Sequence, residues 1–247
     1  MNHLKIIVPF YNVEKWILYN IRSIKKQEYK NYECILVNDH STDNTVDIIE
    51  KEIEGNDNFN LYTNVEKTGA LGSTSYGIDK CAPNNENIII ILDGDDWFPN
   101  ESVLGYLNDV YEKEKCWMTY GSYVEYPSGN RGKFSKQIPQ EIIDKRLHRE
   151  TEWVTSHLRT FKYKLWKQIK KEDLKNKEGK FYEMAGDLPV VFPMLEMCGD
   201  KSHYIKEAIH VYNRSNPLNE DKVDHQLQYS IDREVRTKQK YKLLEEL

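Results

Sequence analysis

Three carboxylates fall within four residues at Asp93-Gly94-Asp95-Asp96. Set so close together, they repel one another unless a cation neutralises them. Oxygen-only ligands suit Mg2+ or Mn2+, and such an ion in turn bridges phosphate oxygens. The competing reading is an acidic turn that caps the next helix, with Pro99 in its first turn. The stretch before the cluster, Asn87–Leu92, is the most apolar of the chain. A continuous run of that kind suits a strand buried on both faces, and polar residues at such a strand's end favour the metal reading.

Two further carboxylates stand out. Asp39 directly follows the apolar run Tyr32–Val37. It comes too early to cap the helix marked by Val46, Ile48, Ile49 and Ile53, a task that Ser41, Thr42 and Asp43 suit better. Its carboxylate can accept the imide N–H of a uracil, and an aromatic such as Tyr11 can stack on the base. Asp187 precedes Leu188-Pro189 and an apolar run that stops at Gly199. That is a helix N-cap, a first-turn proline and a closing glycine, so capping competes with chemistry at this aspartate.

The elements that must position these residues alternate over the first 115. Leu4–Pro9, Tyr32–Val37, a weaker Asn60–Asn64 and Asn87–Leu92 are strands. Helical stretches separate them: one carries Trp16, Ile17, Ile21 and Ile24, and another opens at Gly69 and Gly72. Repeated β-α units predict a parallel sheet with helices on both faces. Ligands of such sheets sit beyond the carboxyl ends of the strands, where Tyr11, Asn38-Asp39-His40, Asn64 and the acidic cluster lie. The second half is less regular. Trp117–Tyr126, Trp153–Phe161 and Ala208–Arg214 are predicted strands, Lys162–Lys170 a short helix, Lys133–Arg149 a basic loop. From Asp224 the chain is helical, with Leu227, Ile231 and Val235 four apart.

Composition removes several classes. With 247 residues, 39% hydrophobic and 12% aromatic, the chain can build a core, which excludes a disordered or collagen-like protein. The balance of 35 basic and 40 acidic side chains, net −5, argues against wholesale nucleic-acid binding and leaves room for a local basic patch. Cys34, Cys81, Cys116 and Cys198 show no C-x-x-C spacing, so buried free thiols are expected rather than disulfides or zinc. No run approaches the ~20 apolar residues of a membrane span, and no secretory h-region is visible. A cytoplasmic location is the expectation.

Taken together, Val8-Pro9-Phe10-Tyr11-Asn12, Val37-Asn38-Asp39-His40-Ser41-Thr42-Asp43, Asn64 followed by Gly69, and Leu92-Asp93-Gly94-Asp95-Asp96 resemble family 2 of the inverting nucleotide-sugar glycosyltransferases. The resemblance covers roughly the first 110 residues. It implies the GT-A fold and transfer of a hexose from a UDP-sugar to a hydroxyl acceptor, with Mn2+ or Mg2+ as cofactor. Residues 1–115 would then form the nucleotide-sugar half, 116–219 the acceptor and catalytic half, and 220–247 a C-terminal helix. Pro9, Tyr11, Asp39 and Asn64 would line the uridine site. Asp93, beside Gly94, would meet the ribose or the metal, and Asp95 would ligate the ion on the diphosphate.

Family members often carry an Arg-Asn pair after the glycine. Thr74 and Ser75 stand at those positions, so either Lys67 supplies the missing positive charge or the phosphate contacts differ from the family's. The family's Glu-Asp pair corresponds to Gly186-Asp187, which makes Asp187 the expected catalytic base, with Glu183 and Glu196 as alternatives. His210 is the candidate third metal ligand, and Arg214 a candidate contact to the diphosphate. Trp97 would stack on a sugar or join the core. Two other readings stay open: a nucleotidyltransferase, which would normally show a glycine-rich loop after the first strand, and a non-catalytic nucleotide-sugar-binding module. The sugar, the acceptor (glycan, protein or small molecule) and the oligomeric state have no readable code.

Overall fold

The computed structural model describes every residue except Ala82, and only the backbone of Glu220 and Asp221. The first half runs β1 (Leu4–Phe10), α1 (Ile17–Lys25), β2 (Tyr32–Asn38), α2 (Thr45–Ile53), β3 (Phe59–Thr63), α3 (Gly69–Lys80), β4 (Ile88–Ile91) and α4 (Val103–Glu114). The second half continues with β5 (Met118–Tyr126), α5 (Gln140–Asp144), β6 (Arg159–Lys162), α6 (Tyr163–Trp166), α7 (Leu188–Cys198), β7 (Ser202–Asn213), α8 (Glu220–Val223) and α9 (His225–Thr237). One seven-stranded sheet joins both halves in the order β3-β2-β1-β4-β6-β5-β7. The first four strands are parallel; β6 is antiparallel to both β4 and β5, and β5 is parallel to β7.

Side-chain alternation along the central strands builds a core on each face. Leu4, Ile6 and Val8 of β1, with Cys34 and Leu36 of β2 and Ile88 and Ile90 of β4, pack with α1 and α4. The intervening Ile7, Ile35, Val37 and Ile89 pack with α3 and α7 on the other face. All of these are fully buried. The apolar runs of the sequence therefore read correctly as strands covered on both sides. All four cysteines are buried free thiols. Among the described residues, no helix is long and apolar enough to cross a membrane.

The second half departs from expectation in five places. The basic loop expected over Lys133–Arg149 contains α5, and the C-terminal helix expected over 220–247 splits into α8 and α9, which ends at Thr237. The strand predicted over Trp153–Phe161 shrinks to Arg159–Lys162, and the helix predicted over Lys162–Lys170 shrinks to Tyr163–Trp166. In contrast, the strand predicted at Ala208 begins at Ser202, because its first residues pair in register with Met118–Gly121 of β5. Edge pairing of that kind leaves little periodic signal, since only Ile205 among Ser202–Glu207 is buried. Asp224 caps α9 by accepting from the backbone N–H groups of Gln226 and Leu227, and Ile231 and Val235 anchor that helix.

Gly94 shows how tightly the ends of β1 and β4 approach. Its N–H donates to the Pro9 carbonyl at 3.0 Å, and a Cβ built on it would lie 2.5 Å from the Phe10 Cβ. A methyl group there must push two strand ends apart, at a cost of about 1–3 kcal/mol. Gly94→Ala is expected to lower the melting temperature by several degrees in a calorimetric scan; an unchanged transition would show that the strand ends yield freely.

Candidate active site

The carboxyl ends of β1, β2 and β4 open into a cavity of about 420 Å3, closed from the other side by β6, α7 and the chain after β7. Pro9, Tyr11, Asp39, Lys67, Asp93, Gly94, Asp95 and Asp187 all line it. The position of each follows from local bonding.

Asp39 is 3% exposed and already engaged. Its Oδ1 accepts from the Thr68 N–H at 2.8 Å and from Asn64 Nδ2 at 2.7 Å, and its Oδ2 accepts from the Gly69 N–H at 2.9 Å. Asp39 thus caps a helix, but the distant α3 rather than the α2 that follows it in sequence. An ionised carboxylate offers about four acceptor sites, which leaves Oδ2 capacity for one more donor. Asn64 lies behind it: 5% exposed, not part of the cavity wall, its amide donating to Asp39, Thr68 and Ser73. The structure therefore places Asn64 as a support for Asp39, where a direct uridine contact was expected. Lys67 stands over the Tyr11 ring, with Nζ 3.4 Å from its centroid. The charge expected for phosphate and the ring expected for the base are neighbours. Ser73 and Thr74 also line the cavity, while the Thr74 hydroxyl donates back to the Ala70 carbonyl.

The acidic cluster divides. Asp93 and Asp95 face the cavity, and Asp96 turns inward, fully buried. Asn20 clamps the turn by donating to the Asp93 and Asp96 carbonyls at 3.0 and 2.8 Å. Asp95 accepts from Asn216 Nδ2 at 2.7 Å, and His157 Nε2 lies 3.7 Å from Asp93. Asp96 Oδ1 accepts from the Asn213 N–H at 2.8 Å, and its Oδ2 is hydrogen-bonded with His210 Nε2 at 2.7 Å. Burial, reinforced by the adjacent Asp96, holds the Asp95 carboxyl well above the usual carboxylate range; burial and Asp93 do the same to Asp96. Burial also pushes the two histidines down, His157 to about 4 and His210 to about 3, so both are neutral near pH 7.

His210 was expected to complete a metal site with Asp93 and Asp95. It sits instead behind the cavity wall, its ring stacked on His157 at 4.8 Å and its Nε2 facing Asp96. It does belong to a set, Asp96, His157 and His210, whose ligating atoms lie within 4.8 Å of one another. Its buried Nδ1 has no hydrogen-bond partner among the described residues. The neutral imidazoles and the orphaned ring nitrogen of this set suit a divalent cation, and on the cavity side Asp93 and Asp95 offer carboxylate oxygens to one. Trp97 lies off the cavity wall, its ring against Tyr19 and Tyr126.

Asp187 occupies the N-cap position of α7, yet its side chain makes no capping bond. Its Oδ2 instead accepts from Arg159 Nη1 at 2.6 Å. The Arg159 side chain is 9% exposed and that of Asp187 27%, so the pair forms part of the cavity wall. Asp187 Oδ1 accepts no hydrogen bond among the described residues. Glu183 also lines the cavity, whereas Glu196 does not. Glu196 is buried against Arg149, at 2.6 and 3.0 Å, and accepts from the Tyr241 N–H. A glutamate so committed has no access to substrate, which removes it as an alternative base. Arg159, Asn216, Asn219 and Gln228 also line the cavity and escaped the sequence reading. Arg214 stacks beside Tyr212, its guanidinium 5.8 Å from the ring centroid.

Strand order and the parallel β-α units define an α/β architecture of the GT-A fold. Residues 5–173, about two thirds of the chain, match the family model for glycosyl transferase family 2, and the chain belongs to that family. A relative in Escherichia coli, the UDP-Glc:alpha-D-GlcNAc-diphosphoundecaprenol beta-1,3-glucosyltransferase WfgD, is 33% identical over 148 residues, 58% of this chain and 54% of its own. Staphylococcus aureus TarS in complex with UDP-GlcNAc superposes with a TM-score of 0.67 at 17% identity, covering 95% of this chain and 65% of that one. The mannosyltransferase PcManGT from Pyrobaculum calidifontis, solved with GDP-Man and Mn2+, gives 0.56 at 17% identity, over 85% of this chain and 56% of its own. The chain spans half the length or less of other curated glycosyltransferase relatives, 47%, 15% and 40% of three of them.

Proposed function

We propose that this chain transfers a hexose from a UDP-sugar to a hydroxyl acceptor, with divalent-metal dependence and inversion at the anomeric carbon. The observation that carries the reading is one cavity holding Asp93 and Asp95 on one wall and a partly exposed aspartate, Asp187, on another. A divalent ion bound by Asp93 and Asp95 would neutralise the diphosphate as it leaves. Asp187 serves as the base: Arg159 fixes one of its oxygens, and the other is available to take the acceptor hydroxyl's proton. Single displacement with one base and a leaving group on the opposite face inverts the anomeric carbon. Lys67 adds positive charge at the same mouth, and Asp39 Oδ2 accepts the uracil imide while Tyr11 supports the ring. The undecaprenyl-linked acceptor named for WfgD makes a polyprenyl-diphosphate sugar the first acceptor to try.

The donor reading has its own test. A carboxylate accepts from the imide of uracil or the N1–H of guanine but not from adenine's unprotonated N1. UDP with Mg2+ is expected to raise the melting temperature more than GDP, and ADP least. Equal shifts from all three would remove Asp39 as the base-reading residue, and a larger GDP shift would move the donor to a GDP-sugar.

A further inference from the structure

The chain's net charge of −5 conceals one strongly basic stretch: residues 162–180 hold eight lysines, three acidic side chains and no arginine. Leu165, Trp166, Ile169 and Leu174 of this stretch are buried in the core that packs on α7. These anchors turn the intervening lysines outward. Glu86 neutralises Lys162 and Lys164, at 3.5 and 2.8 Å, and Glu178 lies 3.8 Å from Lys180. Asp173 is occupied by Lys238 and by the Tyr241 hydroxyl. Among the described residues, Lys167, Lys170, Lys171, Lys175 and Lys177 have no carboxylate partner, and all but Lys175 are exposed.

We propose that this lysine face docks the protein on a bilayer surface that carries anionic lipid headgroups. Charge complementarity is the driving term, because each lysine held near such a surface strengthens binding about fivefold. The type of cation separates this partner from a nucleic acid. Arginine forks, which pair bidentately with single phosphates, are absent, and flexible lysine point charges suit a diffuse negative plane. Nor is a ring offered for base stacking. Trp166 is buried, and the half-buried Tyr163 and Phe181 have Lys167 and Lys175 over them at 5.9 and 5.3 Å. The face is also placed usefully. The chain leaves the cavity wall at Phe161 and rejoins it at Glu183, so a bilayer docked here lies beside the cavity. The inference stands on charge and burial alone, independent of what the cavity binds.

The test is co-sedimentation of the full chain with vesicles of pure phosphatidylcholine or of phosphatidylcholine with 30% phosphatidylglycerol, at low salt and at physiological salt. Binding is expected only with phosphatidylglycerol, weakening as salt rises. Replacing Lys167, Lys170, Lys171 and Lys177 together with glutamine is expected to weaken it by about five hundredfold, with an unchanged melting temperature because all four are exposed. A second variant, Lys113→Gln with Lys201→Gln, removes exposed lysines elsewhere and should bind as wild type. Equal sedimentation with both vesicle types, no sedimentation with either, or wild-type binding by the quadruple variant would overturn the proposal. So would an equal loss in the second variant, or binding to single-stranded RNA in preference to the anionic vesicles.

Discussion

Asp187→Asn is expected to slow sugar transfer by on the order of 10²–10⁴-fold, with donor binding and folding nearly intact. The side chain caps nothing, so no capping energy is at stake. Asparagine retains an oxygen that can accept from Arg159, and it fits the same space. What it loses is the negative charge and the ability to take a proton. The measurement is release of UDP in the presence of acceptor, alongside calorimetric binding of the donor and a melting curve. The expected pattern is a large fall in rate, a donor affinity within a few-fold of wild type, and a melting shift of a few degrees. Turnover near wild type would dismiss Asp187 and send the search to Glu183, since Glu196 is locked to Arg149 and lies off the cavity.

Asp95→Ala is expected to abolish the metal-dependent part of UDP binding while the protein stays folded. Asp95 lies in a strand-end turn, and its side chain accepts from Asn216, which comes from the chain after β7. Removing it costs little core packing. In the metal-free cavity a diphosphate would meet Asp93 and Asp95 together, and like charges oppose its entry. Burial already penalises ionisation of Asp95, as it would for a carboxylate whose natural partner is a cation. Titration of UDP with and without Mn2+ is the check. Wild type should bind at least tenfold more tightly with the ion, and the variant should show no such gain. Equal metal enhancement in both would exclude Asp95 as a ligand.

Much of the cavity wall proposed for the donor was legible because it depends on local signals. Each apolar strand ends in polar residues, and a parallel sheet gathers those ends into one crevice. Tyr11, Asp39, Lys67, Asp93 and Asp95 consequently share a wall. Asp39 was legible as a cavity residue but not as the cap of α3, because its partners Thr68 and Gly69 lie 29 and 30 residues away. The acceptor side was harder to read for the same reason. Arg159 meets Asp187 across 28 residues, from a four-residue strand too short to show periodicity. His210 lies in a strand whose alternation was correctly seen, yet both its faces are buried here. Period alone could not tell whether the imidazole faced the cavity or the inward-turned Asp96.

The central claim is metal-assisted displacement at the anomeric carbon of a UDP-sugar, and proton NMR follows it most directly. Wild-type protein would be incubated with Mg2+ and, in turn, UDP-glucose, UDP-galactose, UDP-GlcNAc and UDP-GalNAc, each with and without a hydroxyl acceptor. One donor is expected to yield UDP, faster with acceptor and only with the ion present. Its α-linked sugar should appear first as the β-anomer, with Asp187→Asn releasing almost none. A product that first appears as the α-anomer, or intact donors throughout the panel despite tight UDP binding, would contradict the claim.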